Sequence, residues 1–243
     1  VTGKALAAVP PTFRPYLQPA LTGFVFALAA TAWCAWTAGA GLPLFFGAIL
    51  LAALYVPALT LAEPPDTRWL PPLTSAAGII TVWTFSLASA DTSVFELLRC
   101  ALLCITFLLA VGGLSSLLTK TRLAPAPSAA AVTLLALLWL TWPVWLSHAL
   151  TQSRVNALSV AHPLLALNGV LRHLGAWDRA PLAYQRLTIL NQDIPYTLPR
   201  SILPAVLLHS LIGLGCFTIR HLAHPRTSTT ETFAASPVGR GLG

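Results

Sequence analysis

Apolar residues run along this chain in blocks of about twenty, separated by short polar breaks. A helix rises about 1.5 Å per residue and the hydrocarbon core of a bilayer is about 30 Å thick, so about twenty apolar residues make one crossing. Six stretches qualify: residues 20–39, 43–62, 73–90, 95–118, 128–150 and 201–222. The breaks include Gly39-Ala40-Gly41, Glu63-Pro64-Pro65-Asp66, Asp91-Thr92-Ser93 and Lys120-Thr121-Arg122. Residues 151–200 stand apart, holding five of the fourteen Lys and Arg, two of the seven acids and two of the six histidines. The pattern predicts an all-α integral membrane protein of about six transmembrane helices, with a partly helical 50-residue outer loop between the fifth and the sixth. Residues 1–19 are expected to be a short cytoplasmic segment and residues 20–222 the membrane domain. Residues 223–243, rich in Thr, Ser, Pro and Gly, are expected to be a disordered tail.

Composition supports the pattern. Apolar residues make up 56% of the chain and charged residues 9%. Soluble domains carry about 25% charged residues, so a water-facing surface cannot be built here. The net charge of +7 is spread along the chain. Nucleic-acid binding would need a clustered basic face, and none is present. The excess instead orients the helices. With both termini cytoplasmic, the inner side holds Lys4, Arg14, Arg68, Lys120, Arg122, Arg220, Arg226 and Arg240, and the short outer loops hold only Arg99. That asymmetry follows the positive-inside rule, opposed by the five arginines of the long loop. The expected location is the cell's inner membrane. No cleavable signal pattern shows in residues 1–18, where prolines 10, 11 and 15 interrupt the run, so the first span is expected to act as the anchor.

Three stretches carry local structure of interest. The third span is rich in hydroxyls: Thr74, Ser75, Thr81, Thr84, Ser86 and Ser89. In lipid these bond back to helix carbonyls or across to a neighbour, as in a packed central helix; a polar path for a solute is the sharper alternative. The fifth span carries Trp139, Trp142 and Trp145 on one face, with Pro143 among them to kink the helix. Interfacial anchoring is the expected role, with an aromatic wall against a lipid, quinone or pigment as the alternative. In the outer loop, Pro163 suits a first helical turn, and Leu164, Leu167, Leu171 and Leu174 follow at helical spacing before Gly175. This predicts an interfacial or re-entrant helix, too short to span. An extended return over residues 191–200 follows it.

Candidate chemistry is sparse. Cys34, Cys100, Cys104 and Cys216 all fall inside apolar blocks and read as small buried residues rather than disulfide or zinc ligands. Glu96 and Arg99 open the fourth span three residues apart and are expected to pair. His209 lies well inside the sixth span and shares a face with Gly213 and Cys216; a bond to a neighbouring hydroxyl is expected. His209, Glu96 and Arg99 form the candidate intramembrane polar site. His148, His162 and His173 are placed to approach His209 from outside, but their spacing matches no ligand motif, and no metal or other cofactor is expected. Trp177, Asp178, Arg179, Asn191, Asp193 and Tyr196 form a candidate structural or docking site on the outer face.

Six spans with a serine and a histidine invite comparison with the rhomboid family of intramembrane serine proteases. The residues concerned are Gly113-Leu114-Ser115-Ser116 and His209. The family's serine motif ends in Gly where this chain has Ser116, and with the spans taken as antiparallel Ser115 and His209 lie too far apart. No phosphate loop, HExxH or intramembrane carboxylate pair occurs, so no catalytic residue and no enzyme activity is expected. In architecture the chain resembles the membrane subunits of ABC-2-type exporters, with six spans, both ends inside and short helices before the last span. The resemblance implies a permease-like transport subunit that moves a solute or a lipid-linked substrate and is driven by an ATPase on a separate chain. The alternative is a non-catalytic subunit of a larger respiratory or photosynthetic membrane complex that holds a lipid or cofactor. The bilayer and other protein subunits are the expected partners.

Overall fold

The computed structural model describes residues 14–38, 42–87, 92–119, 124–146, 149–172 and 198–222. These form α1 (Arg14–Ala38), α2 (Leu42–Ala62), α3 (Leu70–Leu87), α4 (Val94–Leu118), α5 (Pro125–Trp145), α6 (Gln152–Ala161), α7 (Pro163–Val170) and α8 (Leu203–Leu222), with a 3₁₀ turn at Pro65–Thr67 between α2 and α3. No strand occurs among the described residues. Four helical stretches are long and apolar enough to cross a membrane: Tyr16–Trp36, Val94–Leu118, Pro125–Pro143 and Leu203–Leu222. The apolar part of α2, Phe46–Ala62, is shorter, and α3 has 18 residues. The bundle is apolar outside as well as inside. Leu21, Phe26, Trp33, Phe85, Leu134 and Leu211 are all exposed, as in helices that face lipid rather than water. The described chain is therefore all-helical and has the character of a multi-pass membrane protein.

Several boundaries differ from expectation, each for a local reason. The first helix begins at Arg14, inside the segment expected to precede it, because Pro15 sits in the first turn, where its missing N–H costs nothing. The third begins at Leu70 rather than 73, and Pro71 and Pro72 are accommodated there in the same way. The fifth begins at Pro125, where the proline opens the helix, and ends at Trp145, five residues short of the expected end. Leu146 closes it by donating its N–H to the Trp142 carbonyl. The fourth opens with a capping box: Ser93 Oγ accepts the Glu96 N–H at 3.3 Å and Glu96 Oε2 accepts the Ser93 N–H at 2.8 Å.

The central helix is α4. It packs against α2, α3, α5, α7 and α8, and its middle from Leu103 to Val111 is buried apart from a few partly covered positions. The two most extensive interfaces are α4 with α8 and α1 with α3. At the first, α4 and α8 run in the same direction: Phe107 meets His209, Leu109 meets Gly213, and Ser116 meets Arg220. Glycine lets the two backbones touch. A Cβ at Gly113 would sit 2.7 Å from the Gly213 carbonyl oxygen, and one at Gly213 would sit 2.8 Å from the Leu109 carbonyl carbon. Small residues at a helix interface serve this purpose where lipid supplies no hydrophobic drive for helices to associate.

The hydroxyls of α3 behave as a packed helix requires. Thr74, Thr81 and Thr84 donate to the carbonyls of Leu70, Ala77 and Ile80 at 2.8–2.9 Å, one turn back, while Ser75 reaches across to the Gly23 carbonyl of α1 at 3.4 Å. All four cysteines are buried and none is in a disulfide.

Replacing Gly213 by Leu is expected to force α4 and α8 apart at a cost of about 1–3 kcal/mol or more, the usual price of overpacking. Gly215, with nothing within 4 Å of its would-be Cβ, is the control. Thermal unfolding in detergent should drop for Gly213→Leu and stay near wild type for Gly215→Leu; equal behaviour of the two variants would refute the close-packed α4–α8 contact.

Candidate functional site

The chemistry of the described residues gathers around Trp139 on α5. Its indole Nε1–H donates to His209 Nε2 of α8 at 3.2 Å. His209 Nδ1 lies 2.6 Å from the Ala205 carbonyl, one turn back on its own helix. A nitrogen facing a carbonyl must carry the proton and a nitrogen facing an N–H must not, so His209 is the neutral Nδ1–H tautomer. On the other side of Trp139, His162 Nε2 lies 3.1 Å from the Trp139 carbonyl and 3.2 Å from that of Leu140, and His162 Nδ1 accepts the Leu165 N–H at 3.2 Å. His162 is therefore the opposite neutral tautomer, Nε2–H. The rings pack as well: Phe107 and Trp139 against His209, Trp139 and Trp142 against His162, with centroids 5.4–6.3 Å apart.

His162 has a local structural task. It ends α6 and caps the first turn of α7, its ring nitrogen standing in for the oxygen that Ser or Asp would supply. Burial pushes its ring down to about 3, partly offset by its bonds to the Leu140 and Trp139 carbonyls. The α7 helix is buried on nearly every side, from Pro163 to Asn168, and packs on α4. Gly169 tucks against the Pro199 carbonyl in the chain returning toward α8. A helix lying on a surface would keep one face exposed, whereas α7 is covered by its neighbours in the bundle.

Beside the Trp139–His209 pair lies a groove of about 290 Å³, open to one side. Phe107, Val111, Ala136, Trp139, Leu208 and His209 are among its lining, drawn from α4, α5 and α8. It exists because α5 and α8 are held apart by the bulk of the tryptophan instead of closing on each other through small residues, as α4 and α8 do. The walls are almost wholly carbon, since both nitrogens of His209 are engaged elsewhere. Leu135 and Leu208 line the groove and are also exposed, so its mouth is continuous with the apolar exterior.

The sequence-predicted residues fare unequally. His209 is buried and shares its inward face with Gly213 and Cys216 as expected, but its partners are an indole and a carbonyl, not a hydroxyl. His162 does approach it, separated by one tryptophan; His148 and His173 lie outside the described residues. No group of three or more His, Cys, Asp or Glu placed to hold a metal occurs among the described residues, and the ring lone pairs of both buried histidines are already accepting N–H groups. The expected Glu96–Arg99 pair is absent: the Glu96 carboxylate turns back to Ser93, accepting from its N–H and its hydroxyl, while Arg99 is exposed. At the third helical position the carboxylate reaches the cap more readily than a side chain one turn further on. Nor do Glu96 and Arg99 join His209, which sits level with Phe107, eleven residues or about 16 Å along α4 from Glu96.

The tryptophan stripe also divides. Trp142 is 2% exposed and Trp139 partly buried, both turned to His162, whereas Trp145 is 43% exposed. Only Trp145 keeps the outward position that an interfacial anchor needs. The comparison of Ser115 with His209 ends differently from the sequence argument. The helices carrying them are parallel, not antiparallel, yet Ser115 donates to the Val111 carbonyl at 2.8 Å and lies eight residues, about 12 Å, beyond the level of His209. No serine–histidine couple forms. The outer-face candidates Trp177, Asp178, Arg179, Asn191, Asp193 and Tyr196 lie outside the described residues.

His162 is the residue whose role sequence reasoning undervalued. A signal was there: His162-Pro163 is a capping position followed by the proline that favours a first turn. Comparison of the chain with known protein families, with curated proteins and with solved structures found no match.

The histidine cap has a pH signature. A folded-state value below the ordinary 6.5 or so means that the unfolded chain binds the extra proton more readily. Stability is then complete above about pH 6.5 and is lost as pH falls toward 3. Lowering the pH from 7.5 to 5 should cost about 2 kcal/mol through His162, at about 1.4 kcal/mol per pH unit below 6.5. The variant His162→Asn keeps a capping acceptor without that titration, and its stability should fall less over the same range, the remainder coming from buried His209. Parallel pH dependence in both proteins would refute the assignment.

Proposed function

We propose that this chain is a multi-pass subunit of the inner membrane that holds one apolar chain of a lipid or lipid-linked molecule in the groove between α4, α5 and α8, without catalysing a reaction on it. The observation that carries this reading is the groove itself: carbon-lined, closed at its inner end by a satisfied Trp139–His209 pair, and open toward side chains suited to lipid. Its volume is close to the lower end of the range for ligand pockets, about 300–1,000 Å³. Both buried histidines are neutral with their hydrogen bonds internal, so the site has no charge or free polar atom with which to recognise a polar solute. In this reading α2 and α3 cross the bilayer as well, giving six spans with both termini cytoplasmic. That arrangement puts Arg68 and Arg220 at one end of the bundle.

A second reading, a permease-like subunit with a separate ATPase, draws on α6 and α7. They lie between the last two spans and α7 packs beside α4, a placement suited to gating. The apolar groove narrows the cargo of such a permease to a lipid-linked molecule rather than a polar solute. In either reading the subunit works with other protein chains.

Mild-detergent purification followed by native mass spectrometry tests the proposal. Wild-type protein should retain a lipid or isoprenoid adduct. Ala136→Phe, which fills the groove, should lose at least nine-tenths of it, and Trp145→Ala should keep it. A wild type free of adduct, or an Ala136→Phe variant that holds as much as wild type, would sink the groove as a binding site. An ATPase in the same preparation would favour the permease; redox or pigment-bearing subunits would favour the complex.

A further inference from the structure

At the opposite end of α4 from Glu96, two arginines converge on a single helical turn. Arg220 of α8 is only 7% exposed. Its Nη1 donates to Ser116 Oγ and, at 3.4 Å, to the Ser116 carbonyl. Arg68, in the link between α2 and α3, donates through Nη1 to Thr119 Oγ1 at 2.8 Å and through Nε to the Glu63 carbonyl at 2.9 Å. Ser116 and Thr119 are joined in turn, the threonine hydroxyl donating to the Ser116 carbonyl at 2.7 Å. The two guanidiniums are thus pinned to adjacent side chains of one turn, near enough for the charges to repel.

Among the described residues, neither arginine has a carboxylate hydrogen-bonded to it. Arg68 binds the backbone of Glu63, and burial pushes the Glu63 carboxyl up, the reverse of what a guanidinium partner would do. Asp66 is exposed and acts on Arg220 only through its field. Each guanidinium has five N–H donors, and the bonds above occupy two on Arg68 and at most two on Arg220. Two fixed forks with donors left over, and no carboxylate bonded to either among the described residues, are an arrangement suited to bidentate phosphate binding.

We propose that Arg68 and Arg220, held on Ser116 and Thr119, form a binding site for a phosphate group at the end of the α3–α4–α8 bundle, as carried by an anionic lipid headgroup or by free phosphate. Basic pockets between membrane helices on the cytoplasmic side take anionic headgroups in this way. The site shares the multi-pass reading above but is independent of the groove, because its residues line no part of it.

The test is a titration of the purified full chain in mild detergent, read by native mass spectrometry and thermal unfolding. Phosphatidylglycerol, phosphatidylcholine with the same acyl chains and inorganic phosphate are the probes. Wild type should prefer phosphatidylglycerol to phosphatidylcholine by about tenfold or more, and Arg68→Gln and Arg220→Gln should each remove about tenfold of affinity. Arg68→Lys, which keeps the charge but loses the fork, should fall between. Exposed Arg99 at the far end gives the control, Arg99→Gln, which should bind as wild type does. If Arg220→Gln fails to fold, the two Arg68 variants decide the matter. Stabilisation by inorganic phosphate that disappears in Arg68→Gln supports the site with a soluble source; stabilisation by phosphatidylglycerol alone supports it with a lipid source. No preference in the wild type for either anionic probe, or a preference unchanged in the Arg68 variants, overturns it. Ala136→Phe should strip groove-bound lipid of either headgroup without altering this preference, so the groove and the arginine site fail separately.

Discussion

In an apolar interior a polar atom brought along with the helices gains from a partner within the chain, since a buried donor or acceptor left unpaired costs about 1–3 kcal/mol. Much of the internal design here answers to that constraint. The threonines of α3 bond back one turn. Ser115 does the same on α4. The two buried histidines adopt opposite tautomers because their surroundings offer opposite partners, a carbonyl to one Nδ1 and an N–H to the other. Buried Arg220 uses a serine of the neighbouring helix. Charge is kept to the ends of the helices, and neutral hydrogen bonds serve the middle.

Packing distributes the helices around α4 according to side-chain size. Where glycine faces glycine, α4 and α8 touch backbone to backbone. Where α5 presents Trp139, the same α8 is held off and joined through a single imidazole. One helix thus has a tight contact on one side and a bridged gap on the other, and the groove is the product of that asymmetry. The buried α7 then seals the bundle near Trp139, its first turn capped by His162.

The helical blocks were legible in the sequence because apolarity over twenty residues is a strong signal with a simple cause. Helix ends were less so. The prolines at positions 15, 71, 72 and 125 look like breaks in a hydropathy reading, yet each lies in a first helical turn, where proline is tolerated. The burial of the four cysteines and of His209 was legible, since all sit among apolar neighbours. The partners of His209 were not: Trp139 lies seventy positions away, and spacing along one helix says nothing about which face of another will meet it. The Trp139–Trp142–Trp145 stripe shows the same limit. Equal spacing puts the three on one side of α5, but the tertiary packing covers Trp142 and leaves Trp145 open. The Glu96–Arg99 expectation failed for a local reason, because the unpaired N–H of Ser93 competes for the same carboxylate.

The Trp139–His209 bond has a mechanical consequence. The indole N–H and the imidazole lone pair face each other across carbon walls, with no alternative polar group among the groove's lining residues. Separating α5 from α8 strands both atoms at once, and bringing them closer is resisted by the rings themselves. The spacing between these two helices is therefore not a soft coordinate. A motion that parts α5 from α8 at this level must break one identifiable bond.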